Sequence, residues 1–388
     1  MSIPARPAQV RVRLWREGRE PRDLPSLELP DPLPDDALAW VDLVDPDDET
    51  LAEVVGTFGL DAHAVEDAVA HHERPKVTRH PGHLFLTVYA TRLEDPGPLA
   101  HQSRLALSRI SAFVLPRAIV TIRWGSDFPV DAMLERWADS AELLVGAAPS
   151  VRTGVLVHGL LDVVVDGHFE TIQRLDDAIE DLEDLLFAQE PRPREVQQSI
   201  YRLRKELVEL RRVVLPVREI VGALLRHQNA TLATNGSAGA DHLGRGGTTG
   251  NGTTGNAATT GNAATSGHAG DRLLDESAPA GKAALIGDLE DLYDHALRAA
   301  EWTESLRDMI TSAFETSLSL QDSRLNTVMK KLAGWAAIIA VPTAVTGWFG
   351  QNVPYPGFQE PSGLWLSAAL VSGGSIALYV LFKRRDWL

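Results

Sequence analysis

Apolar residues fall along this chain in distinct regimes, each with its own period. From Ala39 to about Trp124, short apolar runs alternate with helical patterns. Trp40–Val44 (WVDLV), His83–Thr91, Ser108–Pro116 and Ala118–Trp124 read as strands, and Asp48–Ala70 reads as helices between the first two. The pattern predicts a mixed α/β unit over residues 36–150. It follows a Pro-rich N-terminal extension, 1–35, expected to be loosely ordered. From Val151 apolar residues recur every three or four positions, with Asp and Glu on the opposite face, until Pro191 and Pro193 break the run. Val196–Arg226 then resumes as a second helix rich in Arg, so residues 151–228 predict an antiparallel helical hairpin.

The pattern then collapses. Residues 229–284 are mostly Gly, Ala, Thr, Asn and Ser, with near-repeats of TTGNAA, and cannot bury enough apolar area to offset their ordering entropy. A disordered linker is expected there. Helical periodicity returns, and from Asp288 to Ala333 there is neither Gly nor Pro. A single helix over 285–349 would be on the order of 95 Å long at 1.5 Å per residue.

The C-terminal end of that helix changes character. Leu332–Phe349 and Leu364–Phe382 are uncharged stretches of 18 and 19 residues, each long enough to cross a bilayer core of about 30 Å. Lys330 and Lys331 precede the first span, and Lys383, Arg384 and Arg385 begin a basic tail, 383–388, after the second. The loop between them, 350–363, has no Lys or Arg. The positive-inside rule places both termini in the cytoplasm and the loop outside, in a cytoplasmic (inner) cell membrane. The start, MSIPARPAQVRVRLW, has no apolar h-region, so no signal peptide is expected.

Composition alters this picture in two ways. The chain has 388 residues, 37 Lys+Arg against 53 Asp+Glu and no cysteine. The acidic balance argues against a nucleic-acid partner, and the missing cysteine excludes disulfides, thiolate zinc sites and cysteine nucleophiles. His63, His71, His72, Glu73, His80 and His83 cluster in sequence, but no His pair brackets a Glu at helical spacing and no nucleophile–base set is readable. No enzyme is expected, and no covalently bound cofactor.

The acidic residues acquire a direction on the long helix. Asp308, Glu315 and Asp322 recur every seven residues, followed at spacings of four and three by Asn326 and Met329. They share one stripe if the helix winds as a coiled coil. A solvated helix face is one reading. On a helix that enters a membrane, the other is a cation path along a shared axis. Two spans cannot enclose a pore, so the second reading requires a ring of subunits.

Several segments resemble the CorA-type divalent-cation transporters, including the ZntB branch. They are WVDL (Trp40–Leu43), VED (Val65–Asp67), RPKV with LFL (Arg74–Val77, Leu84–Leu86), LRRVVLP (Leu210–Pro216) and DSRLNTVMKKL (Asp322–Leu332). The family's Gly-Met-Asn signature has its counterpart in Gly350-Gln351-Asn352, with Gln at the middle position, and Ala333 stands where the family often has Thr. The resemblance implies an α+β membrane protein assembled as a homopentameric funnel. An N-terminal α/β cytoplasmic domain would lead through a long helical stalk to two C-terminal transmembrane helices. It implies outer-mouth selectivity at Gly350, Gln351 and Asn352. The pore lining would comprise Asp308, Glu315, Asp322, Asn326, Met329 and Leu332, the last two forming a hydrophobic constriction. A regulatory metal site between neighbouring subunits would involve Asp291 with Glu94 or Asp95. The expected function is uptake of Mg2+ or Co2+, with Mg2+ as both substrate and regulator. The alternatives are a Zn2+, Ni2+ or Co2+ transporter, proton-coupled or working as efflux, and a membrane-anchored sensor that transports nothing.

Overall fold

A computed structural model describes residues 9–17, 19–27, 29–30, 32–70, 73–95, 103–125, 127–141, 144, 147–188, 192–241, 269–351, 354–355, 357–358, 360–385 and 387. Within 230–241 and 269–279 only the backbone is described. Two compact units divide the chain, residues 1–310 and 311–388.

The first unit is organised around a seven-stranded mixed sheet: β1 (Gln9–Arg16), β2 (Arg19–Leu24), β3 (Ala37–Val44), β4 (Lys76–His80), β5 (His83–Leu93), β6 (Leu105–Leu115) and β7 (Ala118–Arg123). The order is β2-β1-β3-β7-β6-β5-β4, antiparallel throughout except for the β3–β7 pair. The residues expected to be a loose extension thus supply two strands. The signal of β1 is period-2, with Val10, Val12 and Leu14 alternating with Arg11 and Arg13; β2, REPRDL, has no such signal and carries Pro21, which an edge strand tolerates. Residues 1–8 lie outside the described residues.

Alternation divides the sheet's side chains between two cores. On one face Val41, Leu43, Phe85, Phe113, Val120 and Ile122 pack with Val54, Leu60, Ala64 and Ala68 of α1 (Asp48–Phe58), the connection after it and α2 (Ala62–Val69). On the other, Leu38, Trp40, Leu86, Val88, Ile110 and Ile119 meet α3 (Val130–Asp139), α4 (Pro149–Phe187) and α5 (Pro193–Asp241). Trp137 of α3 stands edge-on to Trp15 and Trp40, at 5.8 and 5.0 Å, and donates its ring N–H to Leu156 O at 3.0 Å. Helices on both faces of one sheet give the expected α/β layering.

The 48–70 stretch is broken in two because Gly59 adopts the left-handed conformation of a helix stop, φ 61°, and Asp61 starts the next helix by accepting from His63 N and Ala64 N. The β4–β5 hairpin turns on Pro81 and Gly82, the glycine at φ 87°, as a tight turn with Pro at its second position requires.

The remaining helices are α6 (Ala269–Phe349) and α7 (Pro361–Arg384). Helical backbone therefore enters both ends of the linker expected at 229–284, and residues 242–268 lie outside the described residues. Alanines such as Ala238 and Ala280 favour this extension, since each residue added to an existing helix gains a hydrogen bond without a new nucleation cost.

Candidate functional site

Charged residues in several of the recognisable segments make ion pairs within the first unit. Asp42, in WVDL, is fully buried and accepts from Arg123 Nε at 2.9 Å, Arg123 Nη2 at 2.7 Å and Thr121 Oγ1 at 2.7 Å. Such a two-pronged ion pair, with its remaining oxygen capacity met by a hydroxyl, is how a carboxylate survives burial. Lys76, in RPKV, lies 2.6 Å from Asp67 and 3.0 Å from Glu73. Arg211, in LRRVVLP, pairs with Glu304 of α6. Arg109 donates to the carbonyls of Ala68 and Ala70 at the end of α2, and Trp124 Nε1 donates to Ala68 O at 3.0 Å. Sequence spacing did not single out Arg109, because its partners are main-chain atoms about 40 residues away.

All six residues expected to line a pore lie on α6. Asp308, Glu315, Asp322, Asn326, Met329 and Leu332 are each exposed, while Leu306, Ile310, Ala313 and Ser317 are buried. Asp308 and Glu315 lie on the face opposite Leu306, Ile310, Ala313 and Ser317, whereas from Asp322 to Ala333 every residue is exposed. Oxygen-bearing side chains thus face solvent at Asp308, Glu315, Asp322 and Asn326, where they can attract or coordinate a hard cation. Met329 and Leu332 offer it nothing.

Beyond Lys331, α6 and α7 are the two helices among the described residues long and apolar enough to cross a membrane, and almost none of their most apolar stretches is buried. They approach closely where a side chain at Gly374 would press on Val341, at 3.0 Å, and where Trp335 and Tyr379 meet at 6.5 Å. Pro342 removes one backbone donor inside the span. Thr343 and Thr346 bond back to Ile339 O and Pro342 O at 3.1 and 2.8 Å.

At the end of that span Gly350 N still donates to Thr346 O, at 2.9 Å, and Gln351 N to Trp348 O, at 3.3 Å; both residues are exposed. Asn352 lies outside the described residues. Tyr355 folds back so that its hydroxyl donates to Phe349 O at 3.1 Å, with its ring edge-on to Phe349 and Phe358. The turn closes where Gly357 O sits 2.4 Å from the position a Cβ on Gly363 would take, which admits glycine alone. Tyr355 is thereby an anchor of the loop, a role that spacing could not reveal.

The expected regulatory residues have basic neighbours within the chain. Asp291 is exposed with His295 Nδ1 3.8 Å away, Glu94 has Arg92 at 3.7 Å, and Asp95 has Arg174 at 3.6 Å. Among the described residues no three His, Asp or Glu side chains converge closely enough to hold a metal ion. The histidine segment divides accordingly: His63 is solvent-facing, His80 lies 3.2 Å from Asp61, His83 is buried, and His71 and His72 lie outside the described residues.

Comparison with known proteins agrees with this architecture. The chain is 22% identical over 351 residues to the cobalt/magnesium transport protein CorA of Thermotoga maritima, covering 90% of this chain and 83% of that protein. It is 22% identical over 359 residues to the putative metal ion transporter YfjQ of Bacillus subtilis, covering 91% of each. The fold matches the complete structure of the CorA magnesium transporter from Methanocaldococcus jannaschii with a TM-score of 0.66 and 20% identity, over 98% of both chains. Residues 35–238 and 264–384, which take in most of the sheet and both apolar helices, match the family described as CorA-like Mg2+ transporter protein, and the chain belongs to that family.

Proposed function

We propose that this protein moves divalent cations, magnesium or cobalt, into the cell through a ring of five copies. The observation that carries the reading is on α6. A run of exposed oxygen-bearing side chains, at Glu315, Asp322 and Asn326, precedes an exposed apolar stretch of membrane length on the same helix. The names of the relatives, cobalt/magnesium transport protein and putative metal ion transporter, support the same cargo.

In this reading the outer mouth is formed by Gly350, Gln351 and Asn352. Mg2+ gives up its water reluctantly, so a site that admits it with its hydration shell needs neutral oxygen acceptors, which Gln351 and Asn352 carry. Asn326 forms a second polar ring, and Met329 with Leu332 forms a constriction that closes by losing water. Asp322, Glu315 and Asp308 then draw the ion toward the cytoplasm. Uptake needs no chemical fuel, because a divalent ion gains about 4.6 kcal/mol per 100 mV of inside-negative potential. Asp291 of one subunit and Glu94 of the next would bind cytoplasmic metal and hold the ring closed. Both termini lie in the cytoplasm.

Flux into proteoliposomes tests this, with Mg2+, Co2+, Ni2+ and Zn2+ compared side by side. Mg2+ or Co2+ should enter faster than Ni2+ and Zn2+, and Asn352→Ala should abolish most of the flux. Flux indifferent to Asn352, or a monomer or dimer by mass in detergent, would rule out this channel. Preference for Zn2+ or Ni2+ would move the cargo assignment to Gln351.

A further inference from the structure

A cavity of about 330 Å3 lies beside the β4–β5 turn, within the first compact unit. Its wall is largely apolar, with Leu84 and Val114 from the sheet and Val157, Leu224 and Leu289 from three helices. Its charged and titratable lining is of one kind: the Arg79 guanidinium and the imidazoles of His80, His83 and His227. This volume and lining suit a small-molecule site, in which a few directional groups fix a mostly apolar ligand.

The charge around it runs against the rest of the chain. The formal charge of the protein is -16, yet basic groups gather here. Arg79 donates to His227 Nδ1. Burial first, then the charges of Arg79 and Lys282, hold the His227 pKa below its ordinary value. Lys282 is itself only 9% exposed, and burial lowers its pKa. Among the described residues no carboxylate lies within ion-pair distance of Arg79 or Lys282. The Asp61 carboxylate is near His80 but is shared with the amides of His63 and Ala64.

The imidazoles complete the observation. His83 is 6% exposed, and neither its Nε2 nor that of His80 has a hydrogen-bond partner among the described residues. The two rings stack in parallel, 5.2 Å between centroids. Both residues line the cavity, but their Nε2 atoms are closed off from it, so a ligand there meets the stacked rings as part of the wall and not these nitrogens. A metal ion is disfavoured by Arg79 and Lys282, and no three metal-ligating side chains converge here among the described residues.

We propose that this cavity binds a small organic oxyanion, a phosphate or carboxylate on an apolar body. Arg79 pairs with the anionic group while Lys282 adds its charge from beside His227. The stacked His80 and His83 rings, with Leu84, Val157, Leu224 and Leu289, cover the body.

Isothermal titration of the full-length protein in detergent tests this with phenyl phosphate, benzoate, inorganic phosphate and phenol. Phenyl phosphate or benzoate should bind saturably, and the tighter of the two assigns the oxyanion. Binding should weaken at least about ten-fold in Arg79→Gln, as expected for a lost charge-assisted contact, and by a smaller factor in Lys282→Gln, whose charge acts from outside the lining. Arg79 is exposed, so Arg79→Gln should keep the parent's thermal midpoint, which separates lost binding from lost folding. Inorganic phosphate or phenol binding as tightly as its organic oxyanion counterpart would overturn the combined site. So would unchanged affinity in Arg79→Gln, or no saturable heat with either organic anion. None of these probes is a transported cation, so the outcome is independent of the flux experiment.

Discussion

The sheet of the first unit and the two C-terminal helices use the same apolar residue types and treat them in opposite ways. Trp40, Phe85, Phe113 and Ile119 are buried between strands and helices, whereas Trp335 is 51% exposed, Ile339 64% and Trp365 75%. In water, leaving so much contiguous apolar surface open is unfavourable by roughly 25 cal/mol per Å2, so the sheet has found its solvent-excluded partner within the chain. The C-terminal helices need lipid, or further copies of themselves, to do the same. Charge follows the same division. The sheet buries a carboxylate, Asp42, by pairing it with Arg123, while the charges of α6 at Glu315 and Asp322 stay exposed.

This contrast can be broken most forcefully at Asp42. Arg123→Met leaves a buried carboxylate with a hydroxyl in place of its ion pair, and should cost about 3–5 kcal/mol of stability. Denaturant unfolding followed by tryptophan fluorescence measures it; a change under 1 kcal/mol would mean that Asp42 is far better solvated than its burial indicates.

The next effect belongs to the helices. Leu370→Arg, in the middle of α7, should cost about 3 kcal/mol of membrane insertion, read as the inserted fraction in a translation–translocation assay. Replacement of an ordinary water-exposed leucine would stay within about 0.5 kcal/mol, so unchanged insertion would erase the difference between the two regions.

The smallest effect sharpens the account of the sheet. His168, on α4, is fully buried, bonded to Tyr89 O at 2.8 Å, and burial lowers its pKa to about 4. Below pH 6.5 the unfolded chain takes up a proton there that the folded chain refuses, so stability falls as pH drops from about 6.5 toward 4. The loss at pH 5 is about 2 kcal/mol. His168→Gln should flatten that part of the pH profile; a parallel profile in the variant would place the lost stability at other groups.

How much of this was readable in the chain depended on the range of the interactions. Strands β3, β5, β6 and β7 were legible because their apolar runs are bounded by turns. The two spans were legible because length and missing charge suffice. β1 was hidden by the prolines on either side of it and β2 by Pro21 within it, and β4, KVTRH, is a strand only because β5 pairs with it. The exposure of Asp308 and Glu315 opposite the buried face of α6 agrees with their heptad spacing. The Tyr355 anchor was not legible, since its acceptor is a main-chain oxygen.

By itself, then, the sequence determined the elements whose signal is periodic or compositional: the long helix, its acidic stripe, the two apolar spans and the basic residues flanking them. These depend on residues within a few turns of one another. Only the tertiary structure decided what depends on residues distant in the chain, such as the pairing of Asp42 with Arg123 and the adoption of the N-terminal strands into the sheet. The same holds for the histidine segment. Its spacing fitted no metal motif, and only folding set His80 and His83 beside Arg79 and His227 at one cavity, because a side chain's chemistry is set by the charges and solvent that folding brings to it.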